Sequence, residues 1–418
     1  MMKRFLVCLL ALALLCAAWP AMAEDEPRRI ILGGTGDDSA TMPLAHENGD
    51  LILSICSAGV RNGEKEYPRH ARKVWLLRLS PEGKIVWETS FGEEKGFTNL
   101  SGLSVTAEGE LSGIVSHTIN QVRQYRQPMR FSLVDGAVLW QGEKVDDAAE
   151  LYPTDENGLK MLMYRYTLES GRKLEEEVHD SDASCEPRLY RLLNADGSTL
   201  WTVNAKEIGM SRRNGQLEVS GGTLLYGSDW DEALLGEHPV AQLINDEGTP
   251  VWYMRLMETE GVLRLTLLDS EGRAVLCGTS NEYERDEEGH WTGEMAKSNQ
   301  LLLCLHPKTG DLLWRQENDR MQQKWPVDNM IETESGYLLA DSNQQYSGLI
   351  YQLVNHSGET TARWETTKTE CTFIGARLFM WGQELWTEGI LEDIDGDMDV
   401  LLERVDIPDA GEQSPQMP

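Results

Sequence analysis

PEGKIVW (81–87), VDGAVLW (134–140), ADGSTLW (195–201), DEGTPVW (246–252) and KTGDLLW (308–314) repeat one step down the chain: a glycine, three residues, a tryptophan. A looser sixth copy, HSGETTARW (356–364), ends at Trp364. The six tryptophans, Trp87 to Trp364, are spaced by 53, 61, 51, 62 and 50 residues. A period of that length marks an array of supersecondary units, none of which can bury a hydrophobic face alone. Each step reads as a hairpin. VWLLRLS (74–80) is one strand, Pro81-Glu82-Gly83 the turn and KIVWETS (84–90) the return, with glycine accepting the positive φ that the turn needs.

Working outward, further strands precede each hairpin, such as ENGDLILSIC (47–56), AEGELSGIVS (107–116) and SEGRAVLCG (270–278). With one more short strand ahead of each, the unit has four strands in roughly 50–60 residues, the blade of a β-propeller. Six hairpins end in tryptophan. A seventh unit begins at TFIGARLFMWGQELWTEG (372–389) and stops after DVLLERVD (399–406) without its outer strand. RRIILGGTGDD (28–38) matches VWETSFGEEKG (86–96) in pattern, so residues 28–34 are expected to complete the last blade and close the ring. The fold expected is all-β, a seven-bladed propeller of four-stranded antiparallel blades over residues 24–406, with 407–418 a disordered tail.

Residues 1–23 read as an export signal: Lys3 and Arg4, an apolar run FLVCLLALALLCAAW, then Ala21-Met22-Ala23 as the cleavage site. Leu15 stands where a small residue would precede a lipidated Cys16, which favours simple export to the periplasm, cell surface or medium over a lipid anchor. Without the signal, 36 basic residues face 69 acidic ones, a net charge of −33. That charge argues against nucleic acid and anionic membrane as partners, and no later apolar stretch reaches spanning length. Five cysteines then remain, an odd number with no metal-ligand spacing. Cys277 and Cys304 are expected to lie close together in the fifth unit.

The hairpin HPKTGDLLW (306–314) resembles the Asp-x-x-Thr-Gly-x-x-x-Trp step of pyrroloquinoline-quinone-like propeller repeats. The opening GGTGDDSATMPLAHENGDLILSI (33–55) is similar to the links of bacterial exported propeller proteins. The resemblance covers most of residues 28–406. It implies a propeller and a choice among quinoprotein dehydrogenases, outer-membrane assembly scaffolds and proteins of other roles, since a fold does not transfer activity. The dehydrogenases so implied have eight blades and often an adjacent cysteine pair over the cofactor. Seven units and no Cys-Cys here argue against a bound quinone.

Candidate sites are few. DIDGDMD (393–399) sets Asp393, Asp395, Asp397 and Asp399 at the alternate positions a calcium loop uses, although its glycine is fourth rather than sixth and residue 404 is Arg rather than Glu. The other reading is a solvated acidic turn. Gly33-Gly34-Thr35-Gly36 lacks the Lys-Ser/Thr of a phosphate loop and reads as a link between blades. No Ser-His-Asp, His-Glu-x-x-His or Cys-His arrangement is legible among the scattered histidines, and no pair of carboxylates singles itself out for glycosidase chemistry.

Unit length varies mostly in the connection between second and third strands, as in 58–72, 118–127, 168–187 and 281–300. Read as loops, these would gather on one face, the usual place for a binding surface. Arg61, Tyr67, Arg69, Arg72, Arg123, Tyr125 and Arg126 form a basic, aromatic cluster there. Glu175, Glu176, Glu177 and Glu284 fall among acidic residues in the later connections. On so acidic a chain, a basic cluster implies a protein or an anionic glycan as partner. The leading expectation is therefore a secreted binding or scaffolding propeller without catalytic activity or cofactor. The alternative is a carbohydrate-active hydrolase or lyase with carboxylates at the propeller mouth.

Overall fold

The structure, a computed structural model, describes residues 29–33, 38–41, 43–57, 71–93, 95–119, 122–144, 161–168, 170–179, 187–205, 207–231, 236–285, 291–319, 329–342, 348–365, 372–392 and 398–407. These are all-β: 29 strands and no helix, hence no helix long and apolar enough to cross a membrane. Among the described residues the strands form five separate four-stranded antiparallel sheets and one nine-stranded sheet. The strands fall into seven sequence units: 38–91, 96–141, 161–204, 212–255, 260–319, 329–365 and 372–404.

In each unit the strands pair in chain order, because glycine turns bring each strand back beside the last. The turns close with short backbone bonds, such as Gly83 N–H to Ser80 O at 2.8 Å and Gly248 N–H to Asn245 O at 3.0 Å. The turn glycines have φ between 71° and 88° in the repeated step. Unit 1 departs from the pattern. Its first strand is split into Asp38–Ala40 and Leu44–Ala45, both paired to Leu51–Ser57, with Pro43, which has no N–H for a ladder, at the break. Units 1 and 2 merge into the nine-stranded sheet by a short parallel pairing, Ala71 with Gly96 and Arg72 with Phe97.

Strand Arg29–Leu32 pairs antiparallel with Met398–Arg404, Arg29 opposite Glu403 and Leu32 opposite Val400. Arg29 fixes this register with a guanidinium bond to Glu403, Nη2 to Oε1 at 2.7 Å. The last sheet thus takes its fourth strand from the other end of the sequence.

Burial explains why the units stay together. The apolar clusters do not sit inside units but between them. One joins Leu51, Leu53 and Leu77 of unit 1 to Trp386, Val400 and Leu402 of unit 7. Others join units 1 and 2, 3 and 4, 4 and 5, 5 and 6, and 6 and 7.

The repeated tryptophans lock these junctions. A Cβ on Gly136 would lie 2.6 Å from the Trp87 ring, and Trp87 Nε1–H donates to Leu133 O at 2.9 Å in the same turn. Trp252 meets Gly310 and donates to Pro307 O at 2.8 Å; Trp314 meets Gly358 and donates to His356 O at 3.0 Å. Trp201 lies against Gly248 in the same way. Gly136, Gly248, Gly310 and Gly358 therefore each serve their own turn and also make room for the tryptophan of the unit before. Trp140 differs. It is 48% exposed, against 8% for Trp87, and holds the Arg130 guanidinium over its ring, while Gly197 has nothing within 4 Å of a Cβ.

The structure also corrects the view of the variable segments as long loops. Lys173–His179 is a strand, the second of unit 3, and its Glu175, Glu176 and Glu177 are buried. Arg191 from the next strand binds Glu177 at 2.6 Å, and Arg213 from unit 4 binds Glu176 at 2.6 Å. Leu111–Ile119 and Val122–Phe131 continue to within two residues of each other, so Arg123, Tyr125 and Arg126 are strand residues. Ala274–Arg285 and Trp291–Leu305 likewise take up most of 281–300, Glu284 included.

Candidate functional site

The links between units and the connections between second and third strands share one edge of the sheets; the turns between first and second, and third and fourth, strands share the other. On the first edge, at unit 2, five segments converge. Glu93 comes from the link out of unit 1, Thr98 from the strand Gly96–Val105, His117 and Tyr125 from opposite positions on the next two strands, and Lys144 from beyond the fourth.

His117 and Tyr125 face each other as a directly paired cross-strand couple, their rings stacked with centroids 5.4 Å apart. His117 is buried, with Nδ1 3.2 Å from Thr98 Oγ1. The Tyr125 hydroxyl donates to Glu93 Oε1 at 2.8 Å, and Lys144 Nζ donates to the same oxygen at 3.2 Å while sitting 4.0 Å from the Tyr125 ring centroid. Gly96, at φ 84°, keeps the space beside the imidazole open, since a Cβ there would lie 3.2 Å from His117 Cε1.

These contacts set the protonation states. Burial lowers the His117 pKa, against the pull of Glu93, so its ring is neutral at neutral pH. Burial, and then the bond to Glu93, raises that of Tyr125, so the phenol keeps its proton. The bonds from Tyr125 and Lys144 hold Glu93 below the usual carboxylate range. Lys144 stays charged: against some desolvation, its bonds to Tyr125 and Glu93 raise its pKa. A neutral base, a protonated phenol and a cation thus stand together at a partly exposed edge.

The residues expected to bind a partner are distributed as follows. Arg61, Tyr67 and Arg69 lie outside the described residues. Arg72 is in strand Ala71–Leu79, its guanidinium stacked 5.3 Å over Phe97 at the junction of units 1 and 2. Arg123, Tyr125 and Arg126 share Val122–Phe131, where alternation sends Tyr125 and Arg126 to opposite faces. Tyr125 belongs to the cluster just described. Asp393, Asp395 and Asp397 also lie outside the described residues. Asp399 is in strand Met398–Arg404, opposite Leu391, with its carboxylate where a Gly33 Cβ would be. Among the described residues no group of three or more His, Cys, Asp or Glu is arranged to hold a metal ion. His117, Glu93 and Lys144 went unread in the sequence because they are 24 to 51 residues apart with no shared motif; the fold brings them to one edge.

No protein-family model matches the sequence, and no curated protein matches it. Among solved structures the chain is similar to one titled polysaccharide lyase Uly1, with a TM-score of 0.48 and 10% identity over 90% of each chain. It is also similar to a GH43_1 enzyme from Xanthomonas citri, at TM-score 0.34 and 12% identity over 63% of this chain and 91% of that one. A third is a protein of unknown function from Dyadobacter fermentans, at TM-score 0.43 and 10% identity over 91% and 98%. The expectation of a binding or scaffolding module without catalytic activity is corrected. It rested on the lack of a legible constellation, whereas the fold brings His117, Tyr125, Glu93 and Lys144 from separate segments into one contacting cluster.

Proposed function

We propose that this protein is a carbohydrate-active enzyme of the lyase type, acting on an acidic polysaccharide at the Tyr125 edge of an exported seven-bladed propeller. The seven units, the shared clusters of units 1 and 7 and the strand Arg29–Leu32 support a ring closed between its two ends. The observation that carries the activity is the stacked His117–Tyr125 pair with Glu93 and Lys144 on the phenol.

Cleavage of a uronate chain by elimination needs three things, and the cluster holds each. Lys144 pairs with the sugar carboxylate and draws off charge as the neighbouring carbon loses its proton. His117, neutral, takes that proton. The electron pair of the broken C–H bond forms the C4–C5 double bond, the C4–oxygen bond breaks, and the leaving oxygen takes the proton of Tyr125. Hydrolysis fits less well at the Tyr125 edge: it needs two carboxylates facing one bond, and the cluster there brings one, Glu93, which is held by Tyr125 and Lys144.

Incubation with alginate, polygalacturonate and glucuronan-type chains, followed by the ultraviolet absorbance of the unsaturated product, tests this. Tyr125→Phe and Lys144→Ala should each lower kcat about 100-fold or more with melting unchanged. Reducing ends appearing without unsaturated product would instead indicate hydrolysis, and no cleavage of any polyuronate would reject the proposal.

A further inference from the structure

The opposite edge of the sheets carries a cavity of ≈ 800 Å³ across units 5, 6 and 7, lined in part by Ser270, Glu332, Glu334, His356, Met380 and Gln383. Its meaning comes from comparing two junctions built on one plan. Between units 3 and 4, Ser170 donates its N–H and Oγ–H to Glu218 at 2.8 and 2.6 Å. Arg172 then neutralises Glu218 through Nη2 at 2.7 Å and reaches Asp246, in the last turn of unit 4, at 2.6 Å. Between units 5 and 6, Ser270 makes the same two bonds to Glu332 at 2.7 and 2.8 Å.

The cation is what changes. Arg273, which occupies the turn position of Arg172, turns instead to Asp269 at 2.7 Å and to the Tyr337 hydroxyl at 3.1 Å. The position of Asp246 is taken by His356, whose Nε2 lies 3.2 Å from Glu332 Oε1. Glu332 therefore faces the cavity with a serine and an imidazole where Glu218 has a guanidinium, and Glu334 adds a second carboxylate to the wall. Gln383 offers both a donor and an acceptor, and Met380, 42% exposed, offers an apolar surface.

We propose that this cavity binds a small hydroxylated ligand bearing one protonated amine, of the amino-sugar class, with the ammonium group held by Glu332 and Glu334 in the role Arg172 plays at the other junction. Gln383 and the turn hydroxyls bond the ring oxygens, and Met380 packs on its C–H face. A cavity of this size accommodates one or two sugar rings. The site is separate from the Tyr125 edge and does not depend on the activity proposed there.

Calorimetric titration of the full protein with D-glucosamine at neutral pH and low salt, against glucose and N-acetylglucosamine, is the test. Glucosamine should bind at least ten times more tightly than either neutral sugar. Glu334→Gln, which removes a wall charge, and His356→Arg, which supplies the missing guanidinium from within, should each weaken it at least tenfold. Glu334→Gln should leave polyuronate cleavage unchanged. Amine selectivity together with loss in either variant supports the site; no binding, equal binding of glucosamine and N-acetylglucosamine, or binding intact in both variants overturns it.

Discussion

Ile30 lies on Gly83: a Cβ at that glycine would come within 2.6 Å of Ile30 Cδ1. This is the contact that Trp87 makes with Gly136 and Trp252 with Gly310, made here by an isoleucine from the strand nearest the N-terminus of the sequence. Trp381 adds a second tie between units 7 and 1, donating its indole N–H to Gly49 O at 2.7 Å across 332 residues.

The glycines of the step should not be equivalent to alanine. At Gly197, with φ 85° and nothing within 4 Å, Gly→Ala should cost about 1 kcal/mol, the penalty of the left-handed backbone alone. At Gly136 the same change also drives a methyl into Trp87, raising the cost to about 3 kcal/mol or more. Urea midpoints of the two variants check this; equal losses would contradict the lock.

Glu388 should make stability fall as pH rises. Burial, opposed by Arg377 at 3.4 Å, pushes its pKa up to about 7 from 4.5. Between those values the folded state holds a proton that the unfolded chain has released, so stability is full below pH 4.5 and declines until about pH 7. Glu388→Gln, which keeps shape without charge, should stabilise the protein by about 3 kcal/mol at pH 8 and by almost nothing at pH 4. Melting curves at the two pH values read the difference.

Removing Arg213 should be more damaging than removing its partner with it. Its buried guanidinium gives Glu176 two bonds, at 3.0 and 2.6 Å, between units 3 and 4. Arg213→Met strands a buried carboxylate and should cost about 3–5 kcal/mol, most of it recovered in Arg213→Met/Glu176→Met. If the double variant were as unstable as the single one, packing rather than charge would be the cause.

Thiol chemistry should be slow in the folded protein. Burial pushes Cys56 up to about 11, with Arg72 opposing and Asp38 adding, and Cys304 up to about 12. A disulfide-exchange reagent at pH 8 should leave both unlabelled until denaturant is added. Cys304 lies opposite Val275 and Cys277 opposite Leu302, so the two cysteines expected to be close are on paired strands but one pleat apart, not facing each other.

The pH profile of polyuronate cleavage should carry the mark of His117. Because burial lowers its pKa, the acid limb should fall below pH 6.5, the ordinary value for histidine, and should vanish in a variant whose base is replaced. Initial rates between pH 4 and 9 would show it.

What the sequence alone determined is local. Gly83, Gly136 and Gly310 announce turns because a positive φ is a property of one residue, and alternating runs such as VWLLRLS announce strands because side chains there have a period of two. The pairing of residues near 28–34 with those near 399–406, which Arg29–Leu32 and Met398–Arg404 make, followed from those signals.

Only the tertiary structure decided which charges lie inside and which groups meet. Glu175-Glu176-Glu177 reads as a solvated run, because no neighbour in sequence could neutralise it; Arg191 and Arg213 do so from 14 and 37 residues away, and the segment becomes a buried strand. Trp87 and Gly136 each look complete within their own hairpins, yet their contact is made between units. The Tyr125 cluster is of the same kind. Its members carry no common spacing, and only the pairing of strands Leu111–Ile119 and Val122–Phe131, with a link and a strand end beside them, sets His117, Tyr125, Glu93 and Lys144 within reach of one another.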